Sequence, residues 1–491
     1  MDLEDRRRAS SAVNRFGLGA RAAATEPSGD PRAWLLAQIR RPPDGAEWLA
    51  GLPDSLDYLR RETDLMRELR KLRRRGATAT GRGPTAAGHP EPRNPFQQRF
   101  REAFGDDLRR ESLARWQIAA TTTTPFAERL VRFWSNHFAV SVDKGPVRLY
   151  AAPFEREAIR PHFAGRFADL LLAVETHPAM LRYLDQAQSV GPDSPLARRI
   201  DRRLALRARR NDQPARQLGL NEKLAREIME LHTLGANAGY TQADVTEFAR
   251  ALTGWSVPFP GQLDRGRVDR PFFYRAAAHE PGTRVVRGRR YPDTGFDQAR
   301  AILLDLAASR ATARHLAFQL ARHFVADVPP PELVERLEQA YLESGGELAA
   351  VYAAMIDAPA SWSPAARKFR SPQDFLVAAL RGGSMVLGSR AQPFEWFAAR
   401  LGQPTFMPRS PAGFSDLAAD WIGPDALWKR VQAAEGLASR VPRAGLDPRV
   451  LATSLLGLRY DPSVQAALER AEAPQQALAL LFASPAFQWR V

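Results

Sequence analysis

Apolar residues recur at helical spacing along most of the chain. From Ser55 to Arg75, Leu56, Leu59, Leu65, Leu69 and Leu72 stand among Arg and Glu and predict an amphipathic, basic helix that ends at Gly76. Pro125 suits a first helical position, and Phe126, Leu130, Phe133 and His137 fall along one face of the helix it opens. Asn221 as N-cap and Gly235 as C-cap bracket a helix whose buried stripe is Leu224, Ile228 and Leu231. Thr241 with Asp244 resembles a capping box for the next helix, where Val245, Phe248, Ala249 and Leu252 share a stripe and Gly254 is the stop. Two capped helices with a short turn between them predict an αα-hairpin.

Between Ser256 and Asp297 the helical period fails. There Phe272 to Ala278 and Thr283 to Gly288 are expected to pair as a hairpin about Glu280, Pro281 and Gly282. Helical patterns return from Phe296 to the end, so the chain is predicted to be mainly α, a compact multi-helix assembly with a small β-hairpin insertion around 270–290. Gly76 to Pro95, rich in Gly, Pro, Thr and Ala, predicts a flexible loop or linker. The expected organisation is an N-terminal helical segment over 1–75, a linker over 76–95 and a main helical domain over 96–491, with its core motifs at 124–255. A second weak stretch, Gly191 to Gln217, is crowded with arginine and reads as a solvated helix and loop.

Composition narrows the chemistry. The 491 residues are 44% hydrophobic and 25% charged, the balance of a globular chain able to bury a large core. The absence of cysteine excludes disulfides, thiolate metal sites and cysteine nucleophiles. The formal charge is +15, but with 65 Arg against 5 Lys. Arginine favours fixed, bidentate, partly buried pairing, so part of the excess is expected inside as ion pairs, and nucleic-acid binding is disfavoured. No apolar run approaches a membrane span. No apolar segment follows Arg6, Arg7 and Arg8, so no signal peptide is visible and a cytoplasmic location is expected.

Two function classes suit these features. The first is an enzyme whose site gathers His137, Glu227 and His279, with Glu230, His177 and His232 as further members and Arg226 as an anion contact. Imidazole and carboxylate without thiolate suit a divalent metal such as Zn, Mn or Fe, supporting hydrolytic or redox chemistry. Without a metal, His137 is the candidate general base and Glu227 the acid; haem is a further option that no spacing supports. The second class is a non-catalytic helical scaffold or partner protein in which the same residues form a buried polar network.

Spacing constrains the first class. A Glu-x-x-His ligand pair needs i, i+3 spacing, whereas His232 follows Glu227 by five residues, about 140° round an α-helix. Arg226 stands four residues from both Glu222 and Glu230, which predicts a charge ladder. His177 precedes Pro178 and reads equally as a helix-entry residue.

Several stretches together resemble the bacterial family called domain of unknown function 1800. They are Asn14-Arg-Phe-Gly-Leu-Gly19, Glu128 to Phe138, His177 to Asp185, Asn221 to Gly235, Tyr240 to Val245 and Ala249 to Trp255, extended by His279, Lys368-Phe-Arg-Ser-Pro372 and the Gly402 to Trp421 region. The family brings no established reaction. The chain departs from its pattern at Ser135, where the usual Phe-Trp-His-Asn-His-Phe has His, and at Glu280, where Asp is common; relatives can carry Phe in place of His232. The resemblance implies a partner of sulfatase-like fold encoded nearby, and relatives often look exported.

Overall fold

The computed structural model describes residues 3–490 apart from 22–28, 80–94, 209–218, 265, 267, 389–390, 443–446 and 458–459. Helices carry the described chain, as the apolar period predicts. Many start on a capping side chain: Asp30 accepts from the Arg32 and Ala33 amides at 3.0 and 3.4 Å, and Thr241 and Asp244 close the predicted capping box. The helix Pro125–His137 buries Phe126, Leu130, Phe133 and Trp134. The helix Ser55–Ala79 runs three residues past Gly76. The rest of the expected linker, up to residue 94, lies outside the described residues, as does the end of the arginine-rich stretch after the helix Pro195–Ala208.

Strands among the described residues form three two-stranded antiparallel sheets. The expected pairing of Phe272–Ala278 with Thr283–Gly288 is not the one formed. Phe273–Tyr274 pairs back with Trp255–Ser256, and Arg284–Val286 pairs forward with Arg289–Tyr291. The turn is Arg287-Gly288, with φ of 50° and 78°, the left-handed pair that a two-residue hairpin requires. Glu280 is instead drawn inside, where its amide donates to Thr253 Oγ1 at 2.7 Å. The third sheet joins Lys368–Phe369 to Trp489–Arg490.

Two large apolar clusters form the interior. One includes Phe16, Phe104, Phe126, Trp134, Phe248, Phe324 and Tyr352; the other includes Trp116, Phe375, Phe397, Leu437, Leu455 and Phe487. The helix Pro95–Thr121 serves both, giving Phe104 to the first and Trp116 to the second. Arginine is internal as its bias predicts, with Arg15, Arg129, Arg160, Arg284, Arg370, Arg381, Arg430 and Arg490 buried. Much of this group binds backbone oxygen as well as carboxylate. Arg15 donates to the carbonyls of Ser361, Ser363 and Ala366, and Arg381 to those of Gly19 and Ala119 at 3.1 and 2.8 Å. Arg370 meets Asn14 Oδ1 at 3.0 Å. Among the described residues no helix is long and apolar enough to cross a membrane.

Candidate functional site

The helix opened by Asn221 changes form midway. Asn221 Oδ1 accepts from the Lys223 amide at 3.0 Å, the chain is α-helical over Lys223–Glu227, and it is π-helical over Ile228–His232. A π-turn hydrogen-bonds residue i to i+5, so groups five apart stack on one side where an α-helix would turn them apart. The uniform α-helix behind the expected separation of about 140° therefore does not persist through His232. Burial and the charge of Glu230 push the Glu227 carboxyl above its usual range, against the opposing pull of His232 and Arg226. The wider turn also spoils half of the charge ladder. Arg226 keeps Glu222 at 3.4 Å and takes Gln242 at 2.7 Å, while Glu230 faces the Tyr240 hydroxyl.

His232 points inward, where Nδ1 lies 2.7 Å from Glu175 Oε1 and both side chains are fully buried. Carbonyls at this helix end are taken by two more imidazoles. His137 Nε2 donates to His232 O and His315 Nε2 to Leu231 O, each at 3.2 Å. His137 packs among Phe133, Trp134 and Phe138, and burial, followed by the neighbouring His315 and His232, drives it well below the usual histidine range. It is neutral at physiological pH. No sequence motif marks Glu175 or His315.

The remaining candidates lie elsewhere. His177 caps the helix Pro178–Tyr183, its Nδ1 accepting from the Ala179 amide at 3.2 Å. Its proton is therefore on Nε2, which meets Ser55 Oγ at 3.1 Å and Glu157 Oε2 at 3.3 Å; the carboxylate accepts it, and the ring keeps no lone pair with which to activate the serine. His279 meets the Thr253 carbonyl at 2.9 Å through Nδ1 and lies 3.5 Å from Asp293 through Nε2, beside Tyr274. The structure thus gathers His137, His232, Glu227 and Glu230 near one helix end and leaves His177 and His279 in other surroundings. Among the described residues no group of three or more His, Asp or Glu side chains is disposed to hold a metal ion.

A different constellation lines a cavity of about 80 Å³ where the helix Pro125–His137 meets the helix Pro372–Gly382 and the loop from Gln403 to Asp416. The loop is fixed from three sides. Asn136 donates to Phe414 O at 2.9 Å and accepts from its amide at 2.8 Å. Gly413 (φ 76°) crosses Asn136 so closely that a Cβ would fall 2.4 Å from its carbonyl oxygen. Lys368 pairs with Asp327 and donates to Asp416 O at 2.5 Å, and the Gln373 amide meets Gln403 Oε1 at 2.8 Å.

Three guanidiniums line this cavity. Arg115 holds Glu155 at 3.0 Å and Gln373 at 3.1 Å, and Arg129 holds Gly17 O at 2.6 Å and Asp374 at 3.0 Å. Arg132 is the least committed: it donates to Arg115 O at 3.2 Å, while its Nε, 3.4 Å from Glu128 Oε1, makes no hydrogen bond. Burial pushes Arg132 down to about 10 and Arg129 to about 9, which leaves both charged at neutral pH. Burial would raise Asp374, but Arg129, Arg490, His323 and Arg370 together hold its carboxyl well below the usual range. Asp374 and Asp416 are the two lining carboxylates, and behind the wall Glu155 and Glu128 face Arg115 and Arg132 at 3.0 and 3.4 Å.

His323 completes the wall. Nδ1 lies 2.8 Å from Asp416 Oδ1, and Nε2 is buried without a partner. Burial lowers this imidazole against the pull of Asp416, so it is neutral. With Nδ1–H held by an ionised carboxylate, Nε2 carries the lone pair. No sequence signal marked His323 or Arg115, whereas Arg129, Arg132 and Asp416 stand in the motif stretches Glu128 to Phe138 and Gly402 to Trp421, which converge here with Lys368 to Pro372. Ser135, where the chain departs from the family pattern, is on the wall.

The fold and this site define a mainly helical protein built round a polar, arginine-lined cavity. The chain belongs to the family described as protein of unknown function DUF1800, whose model matches residues 11–489. Neither comparison with curated proteins nor comparison with solved structures finds a match.

Proposed function

We propose that the protein is an enzyme acting on a small substrate that carries an oxyanion, with Arg132 as the anion contact and His323 as general base. The observation that carries this reading is the His323–Asp416 pair, whose free Nε2 belongs to the wall that also presents the buried Arg129 and the half-buried Arg115 and Arg132. Arg132 supplies charge and unspent donors, Asp416 fixes the tautomer, and Nε2 accepts a proton from the bound substrate to give an imidazolium that Asp416 stabilises. A divalent metal held by His137, Glu227 and His279 draws no support from their placement, because His137 Nε2 is spent on a carbonyl and His279 belongs to another part of the fold.

The scaffold reading keeps one specific support. The Glu175–His232 pair is wholly buried and His137 ties it to the helix end, so this network is assigned a packing role. Calorimetric titration with acetate and with inorganic phosphate tests the anion site. Wild type is expected to bind one of them, and Arg132→Gln to lose that binding with an unchanged circular dichroism spectrum. Nitrogen-15 NMR tests the base: the His323 ring should hold its proton on Nδ1 from pH 6 to 8, and a proton on Nε2 would remove it from the role.

A further inference from the structure

A second cavity, of about 340 Å³, lies beside the first, and Phe406 lines both. Leu108, Val142, Ala151, Ala152 and Ala391 give it apolar wall, and Arg109, Glu111, Arg148 and Glu395 also line it. The larger cavity is the more apolar of the two, and together they match an amphiphilic molecule. Phe406 is held at φ 51°, a left-handed conformation that is costly for a bulky residue. Two contacts hold the residue there: Phe406 O accepts from the Val142 amide at 2.9 Å, and the ring lies under the Arg115 guanidinium at 4.9 Å. The strained residue thus borders both the anion site and the apolar space.

Resting on the anion-site reading above, we propose that the substrate is a monocarboxylate with an apolar body of about hexanoate size, its head against Arg132 and its body beyond Phe406 in the second cavity. A cavity of about 80 Å³ takes the carboxylate but not the body, which the neighbouring 340 Å³ accommodates.

The test is titration of the full chain with acetate, hexanoate and inorganic phosphate, repeated on Ala152→Phe, which fills the second cavity from a partly exposed position. Each buried methylene multiplies affinity about fourfold, so hexanoate should bind at least about tenfold more tightly than acetate. Ala152→Phe should erase that gain and leave acetate unchanged. Equal binding of acetate and hexanoate, with acetate still dependent on Arg132, would overturn this inference and leave the anion site standing; no binding of any anion would overturn both. A hexanoate gain that survives Ala152→Phe, or phosphate binding above that of hexanoate, also overturns it. Nuclear Overhauser contacts from the hexanoate methyl to Val142 and Ala151 supply a readout that needs no variant, and their absence from a saturated complex counts against the proposal.

Discussion

Arg129 and Arg490 meet at the carboxylate of Asp374, at 3.0 and 3.7 Å, with all three side chains largely buried. Removing the one anion leaves two guanidiniums facing each other without compensation, so Asp374→Asn is expected to cost about 3–5 kcal/mol in denaturant unfolding. The pH dependence has a definite sign. Because the folded carboxyl is held far below its ordinary value of 3.8, its contribution is complete above about pH 4 and is lost as the pH falls below that. Urea midpoints should drop from pH 5 to pH 3 in wild type and fall less steeply in Asp374→Asn. At this scale the sequence was least legible. His323 ends an apolar-looking helix, and its partner Asp416 lies 93 positions away, so no local spacing could pair them. His137 was placed inward correctly by its face, and its role as a carbonyl donor depended on a carbonyl 95 residues distant.

Helix geometry shows a similar division. Caps and stripes were readable wherever the helix keeps its 3.6-residue period, as at Pro125–His137 and Gln242–Leu252. The π-turns at Ala12–Phe16, Glu155–Ile159 and Ile228–His232 were not, since nothing in a periodic pattern announces an inserted residue. These turns carry polar side chains that matter: Asn14 and Arg15, Glu155 on Arg115, and His232 on Glu175. The third can be tested as a unit. His232→Phe alone strands the Glu175 carboxyl in an apolar interior and is expected to lower stability by about 3–5 kcal/mol. Adding Glu175→Met should restore most of that loss, because replacing both partners of a buried pair is close to neutral. Chemical denaturation of the two singles and the double gives the coupling directly, and additive losses would show that the pair does not act together.

On the scale of the whole molecule, mainly α architecture followed from the apolar period, while the arrangement into two apolar clusters sharing the helix Pro95–Thr121 did not. That sharing depends on Trp116 and Phe104 facing different clusters from one helix, which a single amphipathic stripe cannot reveal. It predicts cooperative melting. Scanning calorimetry should give one transition, and Trp116→Ala, expected to cost about 3–5 kcal/mol, should move that transition down without splitting it. Separate endotherms for the two clusters would contradict the shared helix.

The clamp of Arg15 on Ser361 and Ala366 spans 346 and 351 positions. At about 5–20 residues per second of ribosomal synthesis, an emerging Arg15 waits roughly 20 to 70 s before its acceptors exist. During that interval its guanidinium lacks these acceptors, so the packing around Arg15 is completed only late in translation, once Ser361 and Ala366 have emerged.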